Sequence, residues 1–248
     1  MTACTILTIW NDEGLFRTLA EELAGQKDVI YNFIDIDNRD GKFPGAREAF
    51  NAYLDRVETE YVLFMHQDIQ FLHERALHDI VVQLETLGNF GVAGVAGCPA
   101  GKERRLLSSI VHGSKKLPAG ICLDRAQKVQ SVDECLFAMQ TAVAKEMRFS
   151  DVGGWHFYGV EQCIRCELAG LTNYAIPAQL YHLSSGRSLD PGYIVTLREM
   201  RTRYGVGLLN TTVKQWDFST AKGRCYIRYY YWKQKLKKLL ISTGLLKG

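Results

Sequence analysis

Strand and helix patterns alternate through the first hundred residues, and this order restricts the possible folds more than any other feature of the sequence. Apolar, β-branched segments predict strands over 4–10, 29–35 and 61–65. Apolar residues at helical spacing predict helices over 13–23, 46–57 and 77–84. Strands that alternate with helices favour an α/β fold with a doubly wound, mostly parallel sheet flanked by helices. Ligands of such folds gather at the carboxyl ends of the strands.

The second half of the chain is less regular. Its patterns predict a short strand at 91–97, loops over 101–129, strands at 132–139 and 174–183, and a helix at 161–169. The glycine spacing in 91–97 lacks the tight turn of a dinucleotide-binding loop, and no clear helix follows it. We therefore expect one catalytic domain over 1–189 and a C-terminal helical extension over 190–248.

Cysteine usage and apolar runs indicate the compartment. The seven cysteines are odd in number, lie mostly in apolar segments and follow no recognisable export signal. This pattern is typical of free thiols in a reducing environment, so we expect a cytoplasmic protein. Cys163 and Cys166 form a C-x-x-C pair without a second pair, which favours a helix interior over a zinc site. No apolar run reaches the roughly 18–20 residues that span a bilayer.

Positive charge is concentrated at the C-terminus. No acidic residue follows Asp217, whereas eight basic residues lie between Lys222 and Lys247. The remaining chain holds 22 basic and 27 acidic residues, a net charge of −5. Aromatic and leucine residues recur at helical spacing over 229–240. Such a segment, within 222–248, fits an anionic membrane surface, and equally a helix that packs on its own domain. The acidic body argues against nucleic acid as a partner.

Carboxylates stand where the predicted strands end and where a late helix begins. Asp35 and Asp37 end the second strand, Asp68 follows the third, and Glu161 opens the helix. Transfer of a sugar from a nucleotide donor needs acidic groups for the nucleoside, for a metal at the diphosphate, and for the acceptor proton. Mg²⁺ and Mn²⁺ prefer oxygen ligands and keep open positions for phosphate.

The segments that carry these residues resemble family-two-like glycosyltransferases of the GT-A fold, especially the branch associated with streptomycin biosynthesis. The matching segments, spread over residues 4–186, are ILTIWNDE at 6–13, IDIDN at 34–38, 45–51, VLFMHQD at 62–68, VDEC at 132–135, GWHFYGVE at 154–161 through Arg165, and YHL at 181–183. Two positions depart from the family pattern. His66 replaces the usual first aspartate of the Asp-x-Asp motif, and Val160 replaces an acidic partner of Glu161.

The resemblance implies a role for most of the candidate residues. It implies that Asp35, Asp37, Gln67 and Asp68 bind the donor, and that Asp68 and His182 bind the divalent metal, Mn²⁺ or Mg²⁺. It also implies that Asp133 lies on the acceptor side and that Glu161 is the general base. Trp155 and His156, on a loop that follows two glycines, are candidates for contacts with an acceptor sugar.

We therefore expect a metal-dependent, inverting glycosyltransferase that moves a sugar to a glycan, lipid-linked or other hydroxyl acceptor. It would be cytoplasmic, or peripheral at the inner face of the membrane. The alternative is a non-catalytic protein that binds nucleotide sugars or glycans, and the departures at His66 and Val160 favour it. A nucleotidyltransferase would carry a basic, Gly-rich phosphate loop near the N-terminus, but residues 9–14 contain one glycine and no basic residue.

Overall fold

A computed structural model describes residues 2–113, 116–183 and 191–243, and its first half follows the predicted alternation. The elements are β1 (Ala3–Trp10), α1 (Glu13–Ala24), β2 (Ile30–Asp37), α2 (Ala46–Leu54), β3 (Tyr61–Met65), β4 (Ile69–Phe71) and α3 (Ala76–Glu85). Helix α1 begins after Asp12, whose carboxylate accepts a hydrogen bond from the Leu15 N–H. This cap satisfies one of the backbone donors that a helix leaves free at its start.

The second half consists mostly of short strands. They are β5 (Ala93–Gly94), β6 (Ala96–Cys98), β7 (Leu107–Ser108), β8 (Val111–His112), β9 (Leu117–Pro118), β10 (Gln127–Lys128), β11 (Ser131–Val132), β12 (Leu136–Gln140), β13 (Tyr174–Ala175) and β14 (Leu180–His182), with α4 (Thr141–Met147) and α5 (Tyr158–Leu168). The loop predicted over 101–129 therefore contains four two-residue strands. Strands this short carry too little alternation to be recognised in a sequence.

The central sheet has the strand order β10-β13-β5-β12-β3-β1-β2. Strand β1 runs parallel to both β2 and β3, as the alternation predicted, whereas β12 runs antiparallel to β3 and β5. The α/β fold with a mostly parallel sheet flanked by helices is confirmed. The parallel arrangement brings the ends of β1, β2 and β3 to one edge of the sheet, where ligands of such folds bind.

Strand β3 separates two apolar cores. Leu63 and Met65 pack on the side of α1 and α3, and Val62 and Phe64 pack on the side of α2 and α5. Side chains of a strand alternate between the two faces of a sheet, and both faces of this strand are covered. This is why the sequence of β3 is an uninterrupted apolar run.

The C-terminal segment forms a third core with the start of α5. It comprises α6 (Pro191–Tyr204), β15 (Leu208–Asn210), β16 (Gln215–Asp217) and α7 (Ala221–Ser242). Trp216 is fully buried there and packs with Tyr193 and Tyr230. The β15–β16 hairpin is an addition to the helical extension that the sequence predicted. None of the described helices combines the length and apolarity that a membrane crossing requires.

Two sequence-based assignments fall outside the described residues. The predicted boundary between 189 and 190 lies in the segment 184–190, and the last basic residue, Lys247, lies in 244–248. The division into domains at that boundary stays a prediction.

Candidate active site

A cavity of about 590 Å³ opens at the carboxyl ends of β1 and β3. Its walls come from the end of β1, the segment after β3, the β11–β12 connection, the start of α5, strand β14 and the turn of the β15–β16 hairpin. The lining residues include Trp10, Asn11, Asn38, His66, Gln67, Asp68, Asp133, Glu134, Trp155, His156, Tyr158, His182, Tyr193, Thr211 and Thr212. Six of the nine residues predicted for the site thus share one cavity, namely Gln67, Asp68, Asp133, Trp155, His156 and His182.

Gln67 joins the ends of β1 and β3. Its Oε1 accepts hydrogen bonds from the backbone N–H groups of Asn11 and Asp12, both at 3.0 Å, and its Nε2 donates to Asn11 Oδ1 at 2.7 Å. The side chain amide therefore fixes the two strand ends relative to each other. It forms part of the cavity wall on the side of β1.

His66, Asp68 and His182 form a compact group at one end of the cavity. Strand β14 pairs antiparallel with β4, which sets His182 opposite Ile69 and beside the segment that follows β3. His182 Nε2 lies 3.3 Å from Asp68 Oδ1, and His66 Nδ1 lies 3.9 Å from the same oxygen. One ligand atom from each residue falls within 4.8 Å of the others, so the three side chains could hold a metal ion.

The hydrogen bonds around this group fit a cation. Tyr158 Oη lies 3.3 Å from the Glu134 carbonyl oxygen and 2.8 Å from His66 Nε2; in the tautomer in which the hydroxyl donates to the carbonyl, His66 Nε2–H donates to the hydroxyl and Nδ1 keeps its lone pair. His182 is buried; its Nε2 faces the Asp68 carboxylate at 3.3 Å, but among the described residues neither ring nitrogen makes a well-aligned hydrogen bond. Buried imidazole nitrogens normally have partners, and a metal ion is one that satisfies them.

Electrostatics also match a cation-binding group. Burial opposes ionisation of Asp68, but the neighbouring His182 and His66 outweigh it and hold the pKa of Asp68 below its usual value. For His182, burial disfavours the charged ring, yet the contact with the Asp68 carboxylate raises its pKa. Negative charge is therefore held at Asp68, where it attracts either a proton on His182 or a metal ion.

Two adjacent carboxylates face the cavity from the β11–β12 connection. Asp133 accepts hydrogen bonds from the Cys135 N–H at 3.0 Å and from the Thr212 hydroxyl at 2.5 Å. Burial would raise the pKa of Asp133, but the Thr212 bond and the nearby His182 lower it. Glu134 accepts a hydrogen bond from the Gly159 N–H at 2.9 Å, and its burial raises its pKa to about 7.

Glu161 lies in a buried ion pair outside the cavity lining. Arg47 Nε is 2.6 Å from Glu161 Oε2, and the Tyr204 hydroxyl donates to Oε1 at 2.5 Å. Arg47 is fully buried and also donates to the His156 carbonyl. A base needs an oxygen that can reach the acceptor, and both oxygens of Glu161 are engaged with α2 and α6 instead. This placement does not suit the role that the sequence suggested.

Asp35 and Asp37 lie behind the rim of the cavity and do not line it. Asp35 accepts a hydrogen bond from Trp10 Nε1 at 3.1 Å, and Asp37 forms an ion pair of 2.7 Å with Arg39. The Arg39 guanidinium in turn covers the Trp10 ring at 4.6 Å. The two aspartates therefore act on the cavity through Trp10 and Arg39.

Residues 5–182 match a family described as "Glycosyltransferase like family". The chain belongs to this family. The matched residues include β1 to β3, the His66–Asp68–His182 group and both carboxylates of the β11–β12 connection. A protein of Fuscovulum blasticum named "ATP synthase subunits region ORF 6" is 30% identical to this glycosyltransferase-like protein over 212 residues. That alignment covers 81% of this chain and 82% of the relative, whose name states no activity.

Three solved glycosyltransferase structures share the fold of this family member. They are the mannosyltransferase PcManGT from Pyrobaculum calidifontis in complex with GDP-Man and Mn²⁺ (11% identity, TM-score 0.50), S. aureus TarS 1-349 with UDP-GlcNAc (14%, 0.53) and GalNAc-T7 with UDP, GalNAc and Mn²⁺ (7%, 0.53). Each covers 82% of this chain, which spans 61%, 66% and 48% of their respective lengths. The likeness confirms the GT-A fold. The resemblance to the streptomycin-biosynthesis branch has no support in these comparisons.

Sequence reasoning about this glycosyltransferase-like protein missed Glu134, Tyr158 and Thr212. Glu134 follows Asp133 directly, so a second acid in the VDEC segment was the available signal. Tyr158 and Thr212 carried none, because their contacts with the cavity depend on how α5 and the C-terminal hairpin dock.

Proposed function

We propose that the protein transfers a glycosyl group from a nucleotide-sugar donor to a hydroxyl acceptor with inversion at the anomeric carbon, and that it depends on a divalent cation. One observation carries the proposal: His66, Asp68 and His182 converge in a cavity that also holds the carboxylates of Asp133 and Glu134. Membership of the glycosyltransferase-like family supports it, as do nucleotide sugars and Mn²⁺ in solved structures of the same fold.

The donor would lie with its nucleoside against the end of β1 and its diphosphate beside Asp68. Asp35 and Asp37 hold Trp10 and Arg39 in place on the nucleoside side, and Gln67 fixes the strand ends between the two halves of the donor. Mn²⁺ or Mg²⁺ bound by His66, Asp68 and His182 would neutralise charge on the diphosphate as it leaves.

The acceptor would enter from the side of α5. Trp155 is exposed at the cavity, and the ring of His156 is held edge-on against Tyr193 with 5.4 Å between ring centroids. Aromatic rings bind sugar faces by apolar contact, and imidazole nitrogens hydrogen-bond hydroxyls. Asp133, anchored by Thr212, adds an oriented acceptor of hydrogen bonds on this side.

Metal binding tests the proposal without requiring the acceptor. Asp68→Ala and His182→Ala should each weaken Mn²⁺ binding by at least ten-fold in calorimetry, because each removes one of three ligands. The exposed Asp124→Ala is the matched control and should bind Mn²⁺ as the wild type does. Unchanged Mn²⁺ affinity in both site variants would refute the metal assignment.

A panel of nucleotide sugars tests the transfer itself. With Mn²⁺ and simple glycoside acceptors, at least one donor should release its nucleoside diphosphate in step with a new glycosidic product. Donor binding without such release for any combination would favour the alternative, a non-catalytic protein that binds nucleotide sugars.

We further propose that the acceptor is lipid-linked and that α7 holds the protein against the inner, anionic face of a membrane. Ile227 and Tyr230 pack α7 on the body, whereas another face of the helix, from its middle to its C-terminal end, exposes an apolar stripe. The stripe consists of Tyr229, Trp232, Leu236 and Leu239, each 56–65% exposed. Seven basic residues and no acidic one accompany it on α7, which suits anionic lipid and would repel a second copy of the helix.

A further inference from the structure

Glu134 has two neighbouring features that accommodate its carboxylate in the cavity, a backbone N–H donor and a glycine without a side chain. It lies on the β11–β12 connection and lines the same cavity as Asp68 and His182. The Gly159 N–H, in the first turn of α5, donates to Glu134 Oε1 at 2.9 Å. Free backbone N–H groups at the start of a helix orient and stabilise an anion.

The glycine at position 159 leaves the space that this carboxylate uses. A Cβ at residue 159 would lie 3.3 Å from Glu134 Cγ and 3.2 Å from the Phe137 ring. Both distances are tighter than ordinary van der Waals contact. A side chain on α5 and the Glu134 side chain therefore compete for one volume, and in this chain Glu134 fills it.

Glu161, the acidic residue in the first turn of α5, does not line the cavity. Both oxygens of Glu161 are bound, one by Arg47 and the other by Tyr204. This ion pair joins α2 to the first turn of α5, the same turn whose Gly159 N–H binds Glu134. Of the two glutamates, only Glu134 lines the cavity.

We propose that Glu134 is the general base of the transfer. Its carboxylate accepts the proton of the acceptor hydroxyl while the acceptor oxygen forms a bond to the anomeric carbon. The bond between that carbon and the diphosphate oxygen breaks at the same time, and its electron pair leaves on the nucleoside diphosphate. The assignment rests on the proposed glycosyl transfer and adds the residue that completes it.

The acid strength of Glu134 suits this role. Burial raises its pKa to about 7, against the opposing effects of the Gly159 N–H and the Arg47 charge. The titratable or charged groups that face it are Arg47 on α2, Asp133 beside it, Tyr158 on α5 and Tyr193 on α6. A base works best when its pKa lies near the working pH.

Glu134→Gln is the direct test, because the amide keeps the shape and cannot take the proton. We expect kcat to fall by at least 100-fold, with affinities for Mn²⁺ and donor within about two-fold of wild type. Glu134→Asp should keep part of the activity. The exposed Glu167→Gln, on α5, is the matched control and should retain full activity. Turnover of Glu134→Gln within a few-fold of wild type, or an equal loss of donor binding, would overturn the proposal.

A relocated carboxylate gives a second test. Glu134→Ala empties the volume that Gly159 faces, so Glu134→Ala with Gly159→Asp should regain at least ten-fold in kcat over Glu134→Ala alone. A double variant that binds donor normally but gains nothing would count against the proposal. If the wild type binds donors but transfers to no acceptor, the proposed function itself fails. Failure of the Glu134 assignment is a different result, because it is seen only when the variants are compared with an active wild type.

Discussion

Glu134 and Glu161 have the same side chain and lie in neighbouring turns of the structure, but their surroundings give them opposite properties. Glu161 has Arg47 and Tyr204 against its two oxygens, so its charge is compensated. Glu134 is partly buried against one backbone N–H, and burial disfavours its charged form. At the scale of single residues, one glutamate contributes to stability and the other is held ready to exchange a proton.

The raised pKa of Glu134 predicts how its replacement changes stability with pH. The folded protein holds this proton up to a pH of about 7, whereas the ordinary value is 4.5, so the contribution of Glu134 to stability is lost as the pH rises between these values. At pH 8, Glu134→Gln should therefore have a free energy of unfolding roughly 1–3 kcal/mol above that of wild type and melt at a higher temperature. At pH 4 the two proteins should melt at similar temperatures. Calorimetric scans at both pH values measure the difference in stability between Glu134→Gln and wild type. An equal difference at both would contradict the assigned pKa.

The Arg47–Glu161 pair predicts a stability effect of the other kind. Glu161→Ala leaves a buried guanidinium uncompensated and should lower the free energy of unfolding by about 3–5 kcal/mol. Replacing both partners together, as Arg47→Leu with Glu161→Leu, should cost less than either single change. Urea denaturation of Arg47→Leu, Glu161→Leu and the double variant completes the cycle. Additive losses would indicate that the two side chains do not depend on each other.

At the scale of elements, the sequence predicts those with long, regular patterns. The bounds of β3 follow from its apolar run, since both of its faces are covered, and α1 follows from its leucines and its Asp12 cap. The resemblance to GT-A glycosyltransferases assigns nine site residues, and six of them line the cavity. Glu161 is assigned as the base from its place at the start of α5, and Glu134 is not a candidate, because a pattern locates the start of a helix but not the direction in which each side chain of its first turn points.

Helix α7 packs on the body through Ile227 and Tyr230 and exposes its apolar stripe elsewhere. Membrane binding can therefore be removed without unfolding the protein. Trp232→Ser with Leu236→Ser should abolish most sedimentation with anionic vesicles and leave the melting temperature within about 2 °C, because both side chains are exposed. A chain that ends near Thr220 would also lack Ile227 and Tyr230 of the third core, so a loss of membrane binding could not be separated from a loss of stability. Binding should weaken as salt rises.

The matched control replaces exposed polar residues of another helix, as Arg17→Ser with Glu21→Ser on α1. This variant should bind vesicles as wild type does. Equal sedimentation of the α7 and α1 variants would exclude the stripe as the membrane contact.

At the scale of the whole molecule, the C-terminal hairpin is a wall of the active site. Thr211 and Thr212 line the cavity, and the hairpin is seated by the fully buried Trp216. Trp216→Ala should destabilise the protein by about 3–5 kcal/mol and reduce transfer. The exposed Trp232→Ala should do neither with a soluble acceptor. Chemical denaturation and turnover measure both effects, and a Trp216→Ala variant with unchanged activity would show that the hairpin is dispensable.

The hydrogen bond between Thr212 and Asp133 joins residues that are 79 positions apart. During synthesis, strands β1 to β14 and the three side chains of the candidate metal site emerge before the hairpin does. A growing chain can therefore gather these ligands early, while the wall at Thr212 is still missing. The wall of the cavity at Thr212 is complete only after the hairpin has been synthesised, so the full cavity requires the chain through about residue 217.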